Sequence, residues 1–152
     1  MDIILCSIDP VKNQLHFAGA KRPLFFISNE LDMQSESTAK INTYTLGNQY
    51  LYKIKGTVKS VGSTITSNTF QEHTITFREN DLIYLSSDGF CDQFGGLKGK
   101  KYNIKRFIKL LLQLKDKTPS TQEDELKSAF LNWKGNTDQT DDVTVFLMKL
   151  SA

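Results

Sequence analysis

The chain has 152 residues, of which 39% are hydrophobic and 24% charged, and 19 Lys and Arg stand against 17 Asp and Glu for a net charge of +2. That length and composition suit one soluble globular domain with a buried core. So even a charge balance argues against a dedicated nucleic-acid binder, and no apolar run approaches the length that crosses a membrane. The start, Met1 to Cys6, is too short and too acidic for a secretory signal. Cys6 and Cys91 lie far apart and form no metal-type pair, which fits a reduced, cytoplasmic setting. Two histidines, His16 and His73, do not make a His-rich zinc site. Each falls in an alternating pattern and reads as a surface strand residue.

The first half predicts strands and turns. Ile3 to Ile8 is an apolar run, residues 9–13 (DPVKN) form a turn, and Gln14 to Ala18 alternates as a half-buried strand does. Together they predict a hairpin. Residues 19–23 (GAKRP) interrupt the pattern and Leu24 to Ile27 resumes it. Ser28 to Lys40 is polar and reads as a loop or hairpin tip. Ile41 to Leu46 and Tyr50 to Ile54 predict two strands about Gly47 and Asn48. Lys55 to Asn68 carries few large apolar groups and reads as a long surface loop. His73 to Phe77 and Leu82 to Ser86 are expected to pair across the turn Arg78 to Asp81.

The second half changes period. Ile104, Phe107, Ile108, Leu111, Leu112 and Leu114 follow helical spacing, which predicts an amphipathic helix over about residues 102–115, with Lys105, Arg106 and Lys109 on its solvated face. After Pro119, residues 120–123 (STQE) match a capping box with Ser120 as N-cap. Leu126, Ala129, Phe130 and Trp133 form a second helical stripe, read as core packing, and Gly135 stops it. A last apolar run, Val143 to Met148, is expected to insert among the earlier strands. Strands, then two helices, then one strand predict an α+β class.

Two acidic motifs flank the last two strands. Ser87-Asp88-Gly89 follows the run that ends at Ser86, and Thr140-Asp141-Asp142 opens the run from Val143. A carboxylate at the lip of a buried strand is held on rigid backbone and still faces solvent. Hard cations such as Mg²⁺ and Mn²⁺ take oxygen donors in that kind of position. The plainer reading is that both are polar turns, since Asp-Gly is a common turn dipeptide. No nucleophile motif appears: there is no Gly-x-Ser-x-Gly, and neither cysteine has a base nearby in sequence. Cys91 reads as a bystander.

The order of these pieces carries a resemblance. The segments are Leu15 to Ile27 (LHFAGAKRPLFFI), Tyr84 to Gly96 (YLSSDGFCDQFGG), two helices, Trp133 to Gly135 (WKG) and Gln139 to Val145 (QTDDVTV). This resembles the C-terminal portion of the SpoIIE-like branch of the metal-dependent, type 2C-like (PPM) protein serine phosphatases, over nearly the whole chain. The resemblance implies an antiparallel β-sandwich flanked by helices. It implies two Mn²⁺ or Mg²⁺ ions that activate a water to attack phosphoserine or phosphothreonine, in an output domain of bacterial signalling. Asp88 matches the ligand of the family's Asp-Gly motif and Asp141 the ligand of its closing Asp-Asp motif. Asp142 would orient water or cap backbone, Asp92 would support the ligands from behind them, and Gly89 would let backbone approach closely. The implied partner is a phosphorylated protein, for example an anti-sigma-factor antagonist.

The family's early metal-binding Asp and its Asp-x-x-Gly-x-Gly-like segment have no counterpart here; Asp2 and Asp9 sit in other contexts. Residues 1–152 are therefore expected to be the C-terminal portion of a single phosphatase domain whose N-terminal portion is missing, and to be inactive in isolation. A fragment of this kind should expose sheet edges and self-associate as a homodimer. Two other readings stay open: a catalytically inactive phosphatase-like binding module, and an unrelated β-rich domain whose acidic turns face solvent.

Overall fold

The computed structural model describes residues 1–33, 35, 40–63 and 69–151. In chain order the elements are β1 (Ile3–Asp9), β2 (Gln14–Ala20), β3 (Leu24–Ser28), β4 (Ile41–Leu46), β5 (Gln49–Ile54), β6 (Glu72–Thr76), β7 (Leu82–Ser86), α1 (Gly89–Asp92), β8 (Phe94–Gly95), β9 (Lys100–Lys101), α2 (Ile104–Leu114), α3 (Pro119–Lys134) and β10 (Val145–Lys149). They fall into two compact units, Met1–Leu85 with Leu147–Ala152, and Ser86–Phe146.

The first unit is built from two antiparallel sheets. One runs β1-β2-β6 and the other β10-β7-β3-β5-β4. Alternation in the sequence sets their faces. In β2, Leu15 and Phe17 are buried while His16 and Ala18 are only partly covered. β3 lies between β5 and β7, and all five of its residues are buried, the first four as the apolar run Leu24 to Ile27 requires. Leu15, Phe17 and Ile75 from the smaller sheet pack in one cluster with Leu24, Phe26, Tyr52, Ile54 and Ile83 from the larger. That shared cluster makes a sandwich. Burying each such aliphatic or aromatic side chain contributes about 1.5–3 kcal/mol, which sets the cost of polar replacements at these positions.

Three expectations for this unit need correction. The strands at 72–76 and 82–86 do not pair with each other. β6 pairs with β2, Ile75 opposite Leu15, and β7 pairs with β3, Ile83 opposite Phe26. Asn80 adopts a left-handed φ of 70°, and Asp81 Oδ2 accepts from Arg78 N at 2.8 Å. This turn sends the chain from one sheet to the other. Alternation shows which face of a strand is buried and leaves its partner open, so a short turn fits a hairpin or a crossing equally well. The last strand adds to the edge of the larger sheet beside β7 and does not insert. His73 is buried, at 1% exposure, and stacks on Phe17 with centroids 5.6 Å apart. It lies opposite Phe17 in the register and so shares its inward face. Burial pushes its imidazole below the usual histidine range. His16 does face outward, partly exposed, with Nδ1 3.1 Å from Thr74 Oγ1.

The expected loops at 28–40 and 55–68 lie partly outside the described residues, at 34, 36–39 and 64–68. The described part of the second is tied down. Lys21 N donates to Thr57 O at 2.7 Å and Thr57 N to Gly19 O at 2.8 Å.

The second unit holds the helices. Asn103 caps α2, its side chain accepting from Lys105 N and Arg106 N. Phe107, Ile108, Leu111, Leu112 and Leu114 form the buried stripe that the period predicts, and Lys105, Arg106 and Lys109 are exposed. α3 starts earlier than expected. Thr118 is the N-cap, accepting from Thr121 N, and Pro119 occupies the first turn. Proline is preorganised there and its missing N–H is lost at no cost, so the cap moves ahead of Pro119 and Ser120 lies inside the helix. Gly135 ends α3, its N–H donating to Leu131 O. Phe90 centres the aromatic packing, 4.9 Å from Phe107, 5.1 Å from Tyr102 and 5.3 Å from Phe130. The result is the expected α+β class, with antiparallel sheets and three helices among the described residues. No helix of those residues is long and apolar enough to cross a membrane.

Candidate functional site

Both acidic motifs lie in the second unit, and the structure sets their backbones side by side. Ser87 N donates to Thr144 O at 3.0 Å. The Ser87 hydroxyl donates to Asp142 O at 2.9 Å and accepts from Thr144 N at 3.0 Å. One serine thus makes three bonds to the second segment, one to Asp142 in the motif and two to Thr144 just after it. Gly89 completes the join. A Cβ built there would fall 2.3 Å from Asp142 O and 2.9 Å from Asp142 C, closer than any side chain tolerates. Its absence lets two backbones touch.

Asp88 is half-buried in the N-cap position of α1, with φ −80° and ψ −17°, and its carboxylate does not cap that helix. It is fixed from below, because Gly89 and Phe90 are buried immediately after it. Asp141 and Asp142 are exposed. Asp141 Oδ1 accepts from Asp142 N at 2.7 Å, and Asp141 O accepts from Gln139 Nε2 at 2.9 Å. Asp92 is half-buried, its N–H bonded to Asp88 O at 2.9 Å and its carboxylate 3.2 Å from Lys101 Nζ.

Gln93 lies inside the segment Tyr84 to Gly96, but neither period nor residue type marks it for a role there. It is fully buried. Its Nε2 donates to Asp138 O at 2.8 Å and Phe94 O at 2.9 Å, and its Oε1 accepts from Thr140 N at 3.1 Å. Gln93 therefore holds the loop that presents Asp141. Ser87 stands in the first motif, but its bonding role too depends on the fold.

The cysteines stay outside this chemistry. No disulfide joins them. Burial pushes the Cys6 thiol up to about 11, which leaves it protonated and inert. Cys91 lends its carbonyl to Asn103 N at 2.8 Å.

Carboxylates on rigid backbone fit a hard divalent cation in kind. They fall short in number, because no group of three or more His, Cys, Asp and Glu that could hold a metal occurs among the described residues. Two divalent ions need more anionic donors than Asp88 and Asp141 supply.

Comparison with known proteins follows the same lines. No curated protein matches the chain. Among solved structures, the SiaA-PP2C domain of Pseudomonas aeruginosa matches with a TM-score of 0.79 at 23% identity, over 99% of this chain and 52% of that one. The phosphatase domain of the cell fate determinant SpoIIE from Bacillus subtilis matches with a TM-score of 0.59 at 17% identity, over 99% and 59%. A manganese-presoaked structure of the same domain gives 0.61 at 16% identity, over 99% and 56%. At these identities the likeness is one of fold, and the chain spans little more than half of each structure. The sequence profile of Stage II sporulation protein E (SpoIIE) matches residues 1–151, and the chain belongs to the SpoIIE family.

Proposed function

We propose that this chain supplies the acidic side of a divalent-cation phosphatase centre that hydrolyses phosphoserine and phosphothreonine in a bacterial signalling protein. The observation that carries the reading is the apposition of residues 87–89 and 142–144 through Ser87 and Gly89. Asp88 and Asp141 would hold Mn²⁺ or Mg²⁺, two ions in a complete centre, with the remaining donors coming from outside this set of residues. Such ions lower the pKa of a bound water and neutralise phosphoryl charge, so no protein nucleophile is needed. The residues of this chain do the positioning. Ser87 and Gly89 keep the motifs at backbone contact distance, Gln93 holds the Asp141 loop, and Asp142 and Asp92 support the ligands from behind. The partner is a phosphorylated protein, such as an anti-sigma-factor antagonist, in the cytoplasm.

The test is Asp88→Asn and Asp141→Asn in the full-length protein. Each removes a negative donor and keeps the shape. Mn²⁺-dependent release of phosphate from a phosphoserine peptide should fall by about 10- to 100-fold or more, since losing even a group behind a metal ligand typically costs that much. Urea unfolding should be unchanged. Full turnover in either variant would sink the metal-centre reading.

A second reading, a phosphatase-like module that binds without turnover, is favoured for residues 1–152 by the shortage of donors among the described residues. On that reading the isolated chain binds Mn²⁺ weakly, shows no hydrolysis above background, and self-associates as a homodimer.

A further inference from the structure

Residues 94–101 form a small hairpin that neither acidic motif uses. β8 pairs with β9, Phe94 opposite Lys101 and Gly95 opposite Lys100. Gly99 N closes the turn onto Gly96 O at 3.1 Å. A ladder this short is not stable by itself in water, so its order must come from its base. Trp133 forms that base. Gly96 N donates to Trp133 O at 2.8 Å and Trp133 Nε1 donates to Gln93 O at 3.1 Å. A Cβ at Gly95 would fall 1.8 Å from Trp133 O, and one at Gly96 2.9 Å from the indole ring. The indole is itself clamped. Arg106 lies over it at 4.6 Å and Tyr102 meets it edge-on at 5.4 Å. Trp133, expected in the core, is therefore half-buried and serves as a pedestal.

The pedestal lifts apolar and basic side chains together. Leu97 is 108% exposed and Phe94 44% exposed. Lys98, Lys100 and Lys101 surround them, and no Asp or Glu occurs between residues 93 and 115. In a chain of net charge +2 this is a local concentration of positive charge. Leu97 and Phe94 thus stand on an ordered mount inside a rim of lysines, and an apolar centre with a charged rim is the anatomy of a binding surface. The hairpin is also tied to the helix that follows Asp88. Lys101 pairs with Asp92, and Tyr102 N donates to Gln93 O at 2.9 Å.

We propose that this hairpin is a docking surface for an acidic segment of the phosphoprotein substrate, with Leu97 packing on an apolar side chain of that segment and Lys98 and Lys100 pairing with its carboxylates. This rests on the phosphatase reading for the identity of the partner. Charge complementarity selects an acidic protein, since the even charge of the whole chain suits no nucleic acid. One leucine and one partly exposed phenylalanine offer too little apolar area to anchor a membrane surface.

The test uses the purified chain and a synthetic 12-residue peptide, unphosphorylated, with one leucine among glutamates. Trp133, the only tryptophan, lies under the hairpin, and its emission should shift on binding. Leu97→Ala and the pair Lys98→Glu with Lys100→Glu should each weaken binding by about tenfold or more, and added salt should weaken the wild type. Replacing the peptide's leucine with serine should cost as much as Leu97→Ala. Circular dichroism shows whether the variants, all at exposed positions, keep the fold. No binding by the wild type, equal binding by the variants, or equal binding to phosphatidylserine vesicles would each overturn the proposal. Because the peptide carries no phosphate, this result is independent of turnover. Intact docking with no Mn²⁺-dependent hydrolysis in the full-length protein would sink the phosphatase reading alone.

Discussion

The two acidic motifs look alike in sequence, each a short polar group beside an apolar strand, and the structure holds them by opposite means. The first is anchored from within. Asp88 stands directly before Gly89 and Phe90, both buried, and Phe90 packs on three aromatic rings. The second is exposed, and hydrogen bonds from Ser87 and Gln93 hold it in place. A carboxylate anchored by packing is set by the core. A carboxylate held by a polar network is set by a few partners, and losing one of them releases the loop. The second motif is therefore the sensitive half of the pair.

Gln93→Ala should break the comparison most strongly. It removes the side-chain hydrogen bonds to Phe94 O, Asp138 O and Thr140 N. At about 1 kcal/mol per bond, the loss of stability should reach about 3 kcal/mol. Denaturant unfolding would measure it, and amide exchange should rise at residues 138–144 before it rises in α2. A uniform rise would show that the loop has no separate opening.

Gly89→Ala comes next. The new methyl meets Asp142 backbone, which must move. Overpacking of this kind costs about 1–3 kcal/mol. If the proposed metal centre holds, the same change in the full-length protein should lower Mn²⁺-dependent activity, because the Asp142 backbone next to Asp141 must move. An unchanged unfolding midpoint would mean that the loop yields freely, and the packed join would then be no constraint.

Asp141→Asn should be the smallest effect on stability. Asn keeps an oxygen to accept from Asp142 N, and the position is exposed. A change within about 0.5 kcal/mol is expected from thermal unfolding, against the large loss of activity predicted above. A substantial loss of stability would show that the carboxylate serves the fold and not a cation.

Legibility followed physical range. Alternation along β2 and the unbroken run of β3 identified their buried residues, since strand burial has a period that the chain carries locally. The helical stripe of α2 was readable for the same reason. The partner of β6 was not readable, because partners depend on how the chain turns at Asn80, where a hairpin and a crossing use the same residues. His73 was misplaced with it, since its inward face follows from pairing opposite Phe17. At the site, the acidic residues could be picked out by type and position, while the groups that hold them could not. Gln93 and Ser87 act on residues 45 to 57 positions away, and no local pattern marks a side chain for such bonds.

By itself the amino-acid sequence determined the α+β class, the buried faces of β2, β3 and α2, the two acidic motifs and the resemblance to SpoIIE. These depend on residue type, period and order, which are properties of neighbours along the chain. Tertiary structure alone decided that β6 and β7 belong to different sheets, that β10 is an edge strand and that Trp133 supports a hairpin. It also decided that the backbones of the two motifs touch. These depend on which distant segments meet, and that is settled by the packing of the whole chain, with backbone contact possible where glycine leaves room for it.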